Sequence, residues 1–124
     1  MAAMQELVGI FREEADLERG LAKIRELQDR ADRVRVEGSR LFNPGWHLAR
    51  DLRSMLTVSE AVARSALARK ESRGAHSRLD FPKTDPEWGK RNLVVAKRGA
   101  SMALDERPVP PVPPELGALL ESAT

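Results

Sequence analysis

Residues 42–70, FNPGWHLARDLRSMLTVSEAVARSALARK, decide how the rest of the chain is read. Asn43 is a residue type that caps orphan amides, and Pro44 at the first helical position forfeits no helical hydrogen bond. Behind them Leu48, Leu52, Met55, Leu56, Val62, Ala63, Ala66 and Leu67 recur at helical spacing, which predicts one long helix reaching about Lys70. Ala61, Ala63, Ala66 and Ala68 give its second half small side chains, so a neighbouring element can approach closely.

Toward the N-terminus, Leu17, Leu21, Ile24, Leu27, Ala31 and Val34 form one narrow apolar stripe in a strongly charged run. Such a helix needs a partner to cover the stripe. Glu37-Gly38-Ser39 then predicts its stop. Before it, MQELVGIF at 4–11 places Met4, Leu7, Val8 and Phe11 on one face of a shorter helix. Three helices joined by short breaks predict a mainly α fold, an antiparallel three-helix bundle of the spectrin-repeat kind.

Beyond Gly74 the pattern changes. Asp85-Pro86-Glu87-Trp88 predicts a capped single turn, and 92–98, NLVVAKR, pairs with SMAL at 101–104 in a short β-hairpin. RPVPPVPPEL at 107–116 predicts an extended proline-rich tail, with Pro114 opening a last helical turn through Leu119 and Leu120. All this belongs to one domain: a helical part over 1–82, and a turn, strand pair and tail over 83–124.

Composition narrows the function. The 124 residues carry 21 basic and 19 acidic side chains that alternate along the helices, the pattern of a solvated surface. A nucleic-acid partner would need the bases gathered on one face, so none is expected. No apolar run is long enough to insert in a bilayer. Without cysteine there is no disulfide, thiolate metal site or thiol nucleophile.

The glycines form no G-x-G-x-x-G, so no dinucleotide is expected to bind. His47 and His76 are the only imidazoles and have no acid cluster at metal-ligand spacing; His47 is expected to be a surface or cap residue. Ser72, His76 and Asp80 assemble a triad on paper only, since nothing places them in triad geometry. Trp46 and Trp88 can be read as partner anchors, but aromatics at a helix start and a turn are rather expected to seal a small core. VPPVPP resembles a ligand for aromatic grooves, but a tail laid along its own protein is the preferred reading.

That leaves ESRGAHSRLDFP, residues 71–82. Arg73 and Arg78 with Glu71 and Asp80 can make bidentate charge-assisted hydrogen bonds, and Gly74 permits a sharp turn. From the residues alone, a helix stop whose groups satisfy one another and a docking surface stay equally open.

The segment RSMLTVSEAVARSALARKESRGAHSRLDFP, 53–82, resembles the C-terminal helical domain of succinate dehydrogenase and fumarate reductase flavoprotein subunits. The resemblance continues through Asp85 and Trp88 into the 92–104 region. NPGWHLARDLRSML and PVPPVPPEL look like the bacterial branch, and L-aspartate oxidases share a shorter version. In that family FAD lies in a separate glycine-fingerprint domain and a capping domain closes the dicarboxylate site. The resemblance therefore implies no catalytic, cofactor-binding or metal residue in this chain, with FAD carried by the parent subunit.

It also implies that Arg73, Gly74, His76, Arg78 and Asp80 form an interdomain docking segment. The implied partners are the FAD-binding and capping domains of the same flavoprotein and an iron–sulfur subunit. The implied location is cytoplasmic, at the inner face of the membrane within a membrane-associated complex. A piece of a longer subunit is the expected origin, with a truncated gene and a stand-alone protein as the other two. A free-standing helical interaction module without redox function is the alternative reading.

Overall fold

The computed structural model describes residues 2–114 and residue 116. Helix α1 covers Ala2–Leu7, strand β1 Phe11–Arg12, α2 Glu14–Ala31, α3 Pro44–Ala68 and β2 Ser77–Arg78. A 3₁₀ turn at Trp88–Lys90 leads into β3, Arg91–Arg98, and β4, Ser101–Pro108. Among the described residues the chain is mainly helical, with three helices and an antiparallel strand pair, as the periodicities predict.

The α3 start follows the sequence closely. Asn43 Oδ1 accepts the Gly45 N–H at 3.0 Å and Pro44 takes the first helical position. α3 runs antiparallel to α2: Gln28 Nε2 donates to Glu60 Oε2 at 2.8 Å, and Asp32 pairs with Arg53 at 3.5 Å. Their seam holds Leu17, Leu21, Ile24 and Ala31 from α2 against Leu56, Ala63 and Ala66 from α3. Each fully buried Leu or Ile contributes about 1.5–3 kcal/mol, so this small core rests on few side chains.

Expectations change in four regions. α1 is six residues long rather than a helix through Phe11. Val8 N–H donates to Met4 O at 3.2 Å, and beyond Gly9 the chain turns extended. Phe11 thus leaves the helical face for β1, where it is 72% exposed. The helical part is a long α2–α3 hairpin with a short α1 on α2, where Gly20 admits Val8 and Leu7: a Cβ there would sit 3.0 Å from Val8 Cγ2. α2 ends at Ala31, before Gly38, because Arg33 and Val34 N–H already tighten into i→i+3 bonds.

Second, β1 and β2 form a parallel pair, Phe11 opposite Ser77 and Arg12 opposite Arg78, which no local pattern announces. Third, the hairpin is longer than NLVVAKR with SMAL, joining Arg91–Arg98 to Ser101–Pro108 through Gly99 at a φ of +61°. Fourth, the α3 apolar face is divided: Leu56, Ala63 and Ala66 are buried, while Leu48, Leu52, Met55 and Val62 are exposed. Residues 109–113 carry neither helix nor strand, and Leu116 N–H donates to Pro113 O at 2.9 Å. The turn expected through Leu119 and Leu120 lies outside the described residues.

Candidate docking site at the helix return

α3 ends at Ala68, and the chain must turn back with several helix carbonyls unpaired. Arg78 answers this. Its fully buried guanidinium donates through Nη1 to the carbonyls of Ala66, Leu67 and Arg69 at 2.9, 3.1 and 3.3 Å. Nε and Nη2 grip Asp80 Oδ1 and Oδ2 at 2.7 and 2.6 Å. Asp80 Oδ2 also accepts the Glu14 N–H at 3.1 Å, at the start of α2. The cation thus sits at the negative end of α3 and the anion at the positive end of α2, the favourable arrangement for both helix dipoles. The bonds from Arg78 hold the Asp80 carboxyl down at about 2.

A second carboxylate organises the other side. Glu71 is fully buried. It receives Arg73 Nε and Nη2 at 3.0 and 3.2 Å, Arg69 Nη1 at 2.5 Å and the Asp85 N–H at 2.8 Å. Burial on its own would raise this carboxyl, but the bonds from Arg73, the Asp85 amide and Arg69 outweigh it and hold it at about 2.

His76 lies between the two groups. Arg12 can only donate, so its Nη1 gives to Nδ1 at 2.7 Å, and Nε2–H donates to Arg69 O at 3.1 Å. The ring is neutral in this arrangement. Burial lowers its pKa, the bond to Arg69 O opposes that, and the positive neighbours Arg12, Arg78 and Arg69 lower it further. Gly74, at a φ of +56°, makes the tight turn in which Arg73 and His76 exchange backbone bonds of 2.8 and 3.0 Å.

Arg73, Gly74, His76, Arg78 and Asp80 are therefore one connected cluster, with both expected bidentate pairs formed. Ser72, His76 and Asp80 are not a triad: Ser72 Oγ donates to Phe81 O at 2.9 Å and accepts the Arg78 N–H at 2.8 Å. Arg12 and Arg69 complete the cluster: Arg69 stands two residues from Glu71, a spacing the sequence offers, whereas Arg12 arrives from across the fold without a signal. Asp85 Oδ1 caps the expected turn by accepting the Glu87 N–H at 2.8 Å. Arg69 and Arg91 lie 5.3 and 5.6 Å from the centre of the Trp88 ring. Trp46 is 54% exposed and seals no core; its ring meets exposed His47 edge-on at 5.3 Å.

These residues do not fit a flavin. The hydrogen bonds made by Arg69, Arg73 and Arg78 all go to internal acceptors. The strand-to-helix junction from β1 into α2 is lined by Glu13, Glu14 and Asp16, the wrong charge for phosphates. Among the described residues no group of His, Cys, Asp or Glu is placed to hold a metal, and no helix is long and apolar enough to cross a membrane.

The family profile described as fumarate reductase flavoprotein C-term matches residues 1–115. The fumarate reductase flavoprotein subunit of Haemophilus influenzae is 36% identical over 108 residues, 86% of this chain and 18% of that protein. The corresponding Escherichia coli K12 subunit is 46% identical over 79 residues, 63% of this chain and 13% of its own length. Among solved structures, Mycobacterium smegmatis Sdh1 in complex with UQ1 superposes with a TM-score of 0.82 at 43% identity, covering 98% of this chain and 21% of that one. A quinol–fumarate reductase with menaquinol molecules gives 0.83 at 34% identity, covering 90% and 20%. The chain thus spans less than a fifth of the length of these curated relatives.

Proposed function

We propose, from the premise that this chain belongs to the fumarate reductase and succinate dehydrogenase flavoprotein family as its C-terminal domain, that it is a non-catalytic packing domain. It serves an FAD-carrying subunit that interconverts succinate and fumarate. The observation that carries this reading is the uncovered α3 flank. Leu48, Leu52, Met55, Val58 and Val62 are all exposed along one helix, in a chain that matches only the end of much longer flavoproteins. An apolar stripe of that length on a water-exposed helix marks a surface that another body covers. In a three-helix bundle a third long helix would lie there; here the FAD-binding and capping domains take that place.

The return segment supports the same role. Arg78 and Asp80 satisfy each other, Glu71 is satisfied by Arg69, Arg73 and the Asp85 N–H, and His76 by Arg12 and the Arg69 carbonyl, so their contribution to docking is to fix the shape of the return. Arg73 remains 44% exposed over Glu71, and Phe11 on β1 and Leu79 just after β2 stand exposed beside it. These are the groups that reach a neighbouring domain, with Gly74 setting their angle. Buried charge networks of this kind specify geometry more than they add net stability.

Residues 1–82 and 83–124 act as one unit in this reading, supported by bonds from Arg64, Arg69 and Arg73 to the carbonyls of Met102, Arg91 and Asp85. An iron–sulfur subunit and a place at the inner face of the membrane follow by analogy with the quinone-associated relatives. The test is the mass of the native gene product, isolated through a C-terminal tag. A yellow species several times heavier than 13.8 kDa that reduces a dye with succinate supports the proposal. A colourless product of about 13.8 kDa with partners unrelated to flavoenzymes sinks it in favour of a free-standing interaction module.

A further inference from the structure

The turn between α2 and α3 lies at the opposite end of the hairpin from the return cluster, about 37 Å away along α3. Residues 30–53 hold six arginines against three acids, whereas the chain as a whole is nearly balanced. Arg35, Arg40, Arg50 and Arg53 converge with Trp46 and Asn43 on an open cleft of about 680 Å³. Arg53 pairs with Asp32 at 3.5 Å; among the described residues Arg35, Arg40 and Arg50 have no acidic partner. This is the reverse of the return cluster, where the arginines are matched.

The same turn displays apolar side chains. Leu41 is 75% exposed and Phe42 fully exposed, beside the half-exposed Trp46. Phe42 holds a φ of +53°, a conformation that bulky side chains rarely adopt. The loop that carries it is tied down. Asn43 Nδ2 donates to Glu37 O at 2.9 Å while Asn43 Oδ1 caps α3, and Ser39 Oγ accepts the Leu41 N–H at 3.1 Å. A fixed loop that presents aromatics among unpaired guanidiniums is preorganised for a partner, since arginine and aromatic anchors dominate binding energy at protein interfaces.

We propose that this turn is an interaction surface for an acidic segment of a separate polypeptide chain. The segment would place carboxylates on Arg35, Arg40 and Arg50 and an apolar side chain against Phe42 and Trp46. Charge complementarity selects this occupant, because planar guanidiniums bind carboxylates in bidentate fashion. Glu37 and Asp51, interspersed among the arginines, suit a partner with a few discrete carboxylates better than a phosphate-dense one. The inference stands on this end alone and does not depend on how the return cluster docks.

The test is a titration of the full 124-residue chain, followed by ¹H–¹⁵N NMR, with a synthetic peptide repeating Glu-Glu-Leu-Glu-Glu-Phe. A counterpart with Gln for every Glu serves as control. Trp46 and Trp88 give two indole signals, one at each end of the hairpin. The expected result is a saturable shift of the Trp46 indole and of amides in 35–50, absent with the Gln peptide and with Trp88 unmoved. Changing Arg35→Ser and Arg50→Ser together should weaken binding by about tenfold or more. No shift at millimolar peptide overturns the proposal, as do equal shifts with the Gln peptide. Tighter binding of the same turn to a DNA duplex or to phosphatidylglycerol vesicles overturns it too.

Discussion

The two ends of the α2–α3 hairpin use arginine in opposite ways. At the return end Arg78 is sealed from water and every donor group meets an acceptor; at the turn end Arg35, Arg40 and Arg50 are exposed and, among the described residues, have no acidic partner. The residue type is the same and the free-energy consequences are not. A buried guanidinium is tolerated only where carboxylates and helix-end carbonyls replace its lost hydration. An exposed one stays hydrated and contributes little to folding, which leaves it free for another molecule.

The largest test of that contrast is Arg78→Met. It exchanges the guanidinium for an apolar side chain, leaves the Ala66 and Leu67 carbonyls at the end of α3 without a donor and Asp80 with only the Glu14 N–H, and should cost about 3–5 kcal/mol in urea unfolding. A loss below about 1 kcal/mol would mean that water enters the return end and that the contrast is false. Glu71→Gln comes next, at about 1.5–3 kcal/mol, because Arg69 and Arg73 then face a neutral amide.

Acidification sharpens the comparison without any mutation. The neutral His76 ring is favoured in the folded state, so its contribution is present above the ordinary value of 6.5 and is lost as pH falls below it. Glu71 and Asp80 drop from 4.5 and 3.8 to about 2, so their contributions are full above those ordinary values and disappear toward pH 2. Urea midpoints should decline first below pH 6.5 and then more steeply between about pH 4.5 and 2; a flat profile would contradict the cluster. The smallest expected effect is at the turn, where Arg50→Ser should change stability by no more than about 0.5 kcal/mol. A larger loss there would make Arg50 a structural residue and weaken its case as a docking one.

What the sequence discloses follows how far apart the interacting residues lie. Asn43 and Pro44 announce the start of α3 because capping is local. The Arg73–Glu71 and Arg78–Asp80 pairs are legible because their partners stand two residues apart. Arg12 is not, since its bond to His76 spans 64 positions. Periodicity finds the apolar face of α3 but cannot say that only Leu56, Ala63 and Ala66 meet α2 while Leu48, Met55 and Val62 remain uncovered. Nor does an aromatic at a helix start reveal whether it faces inward: periodicity alone does not show that Trp46 stays half-exposed outside the core.

The short parallel pairing of β1 with β2 also has a kinetic consequence. It joins Phe11–Arg12 to Ser77–Arg78 across the entire helical hairpin, so closing it requires a large loop to be ordered first. The α2–α3 hairpin, whose contacts are nearer in sequence, should form in the transition state, with the clasp locking afterwards. Substitutions in the clasp would then act mainly by speeding unfolding, leaving the folding rate nearly unchanged. The buried arginine, on this view, governs how long the domain stays closed rather than how fast it closes.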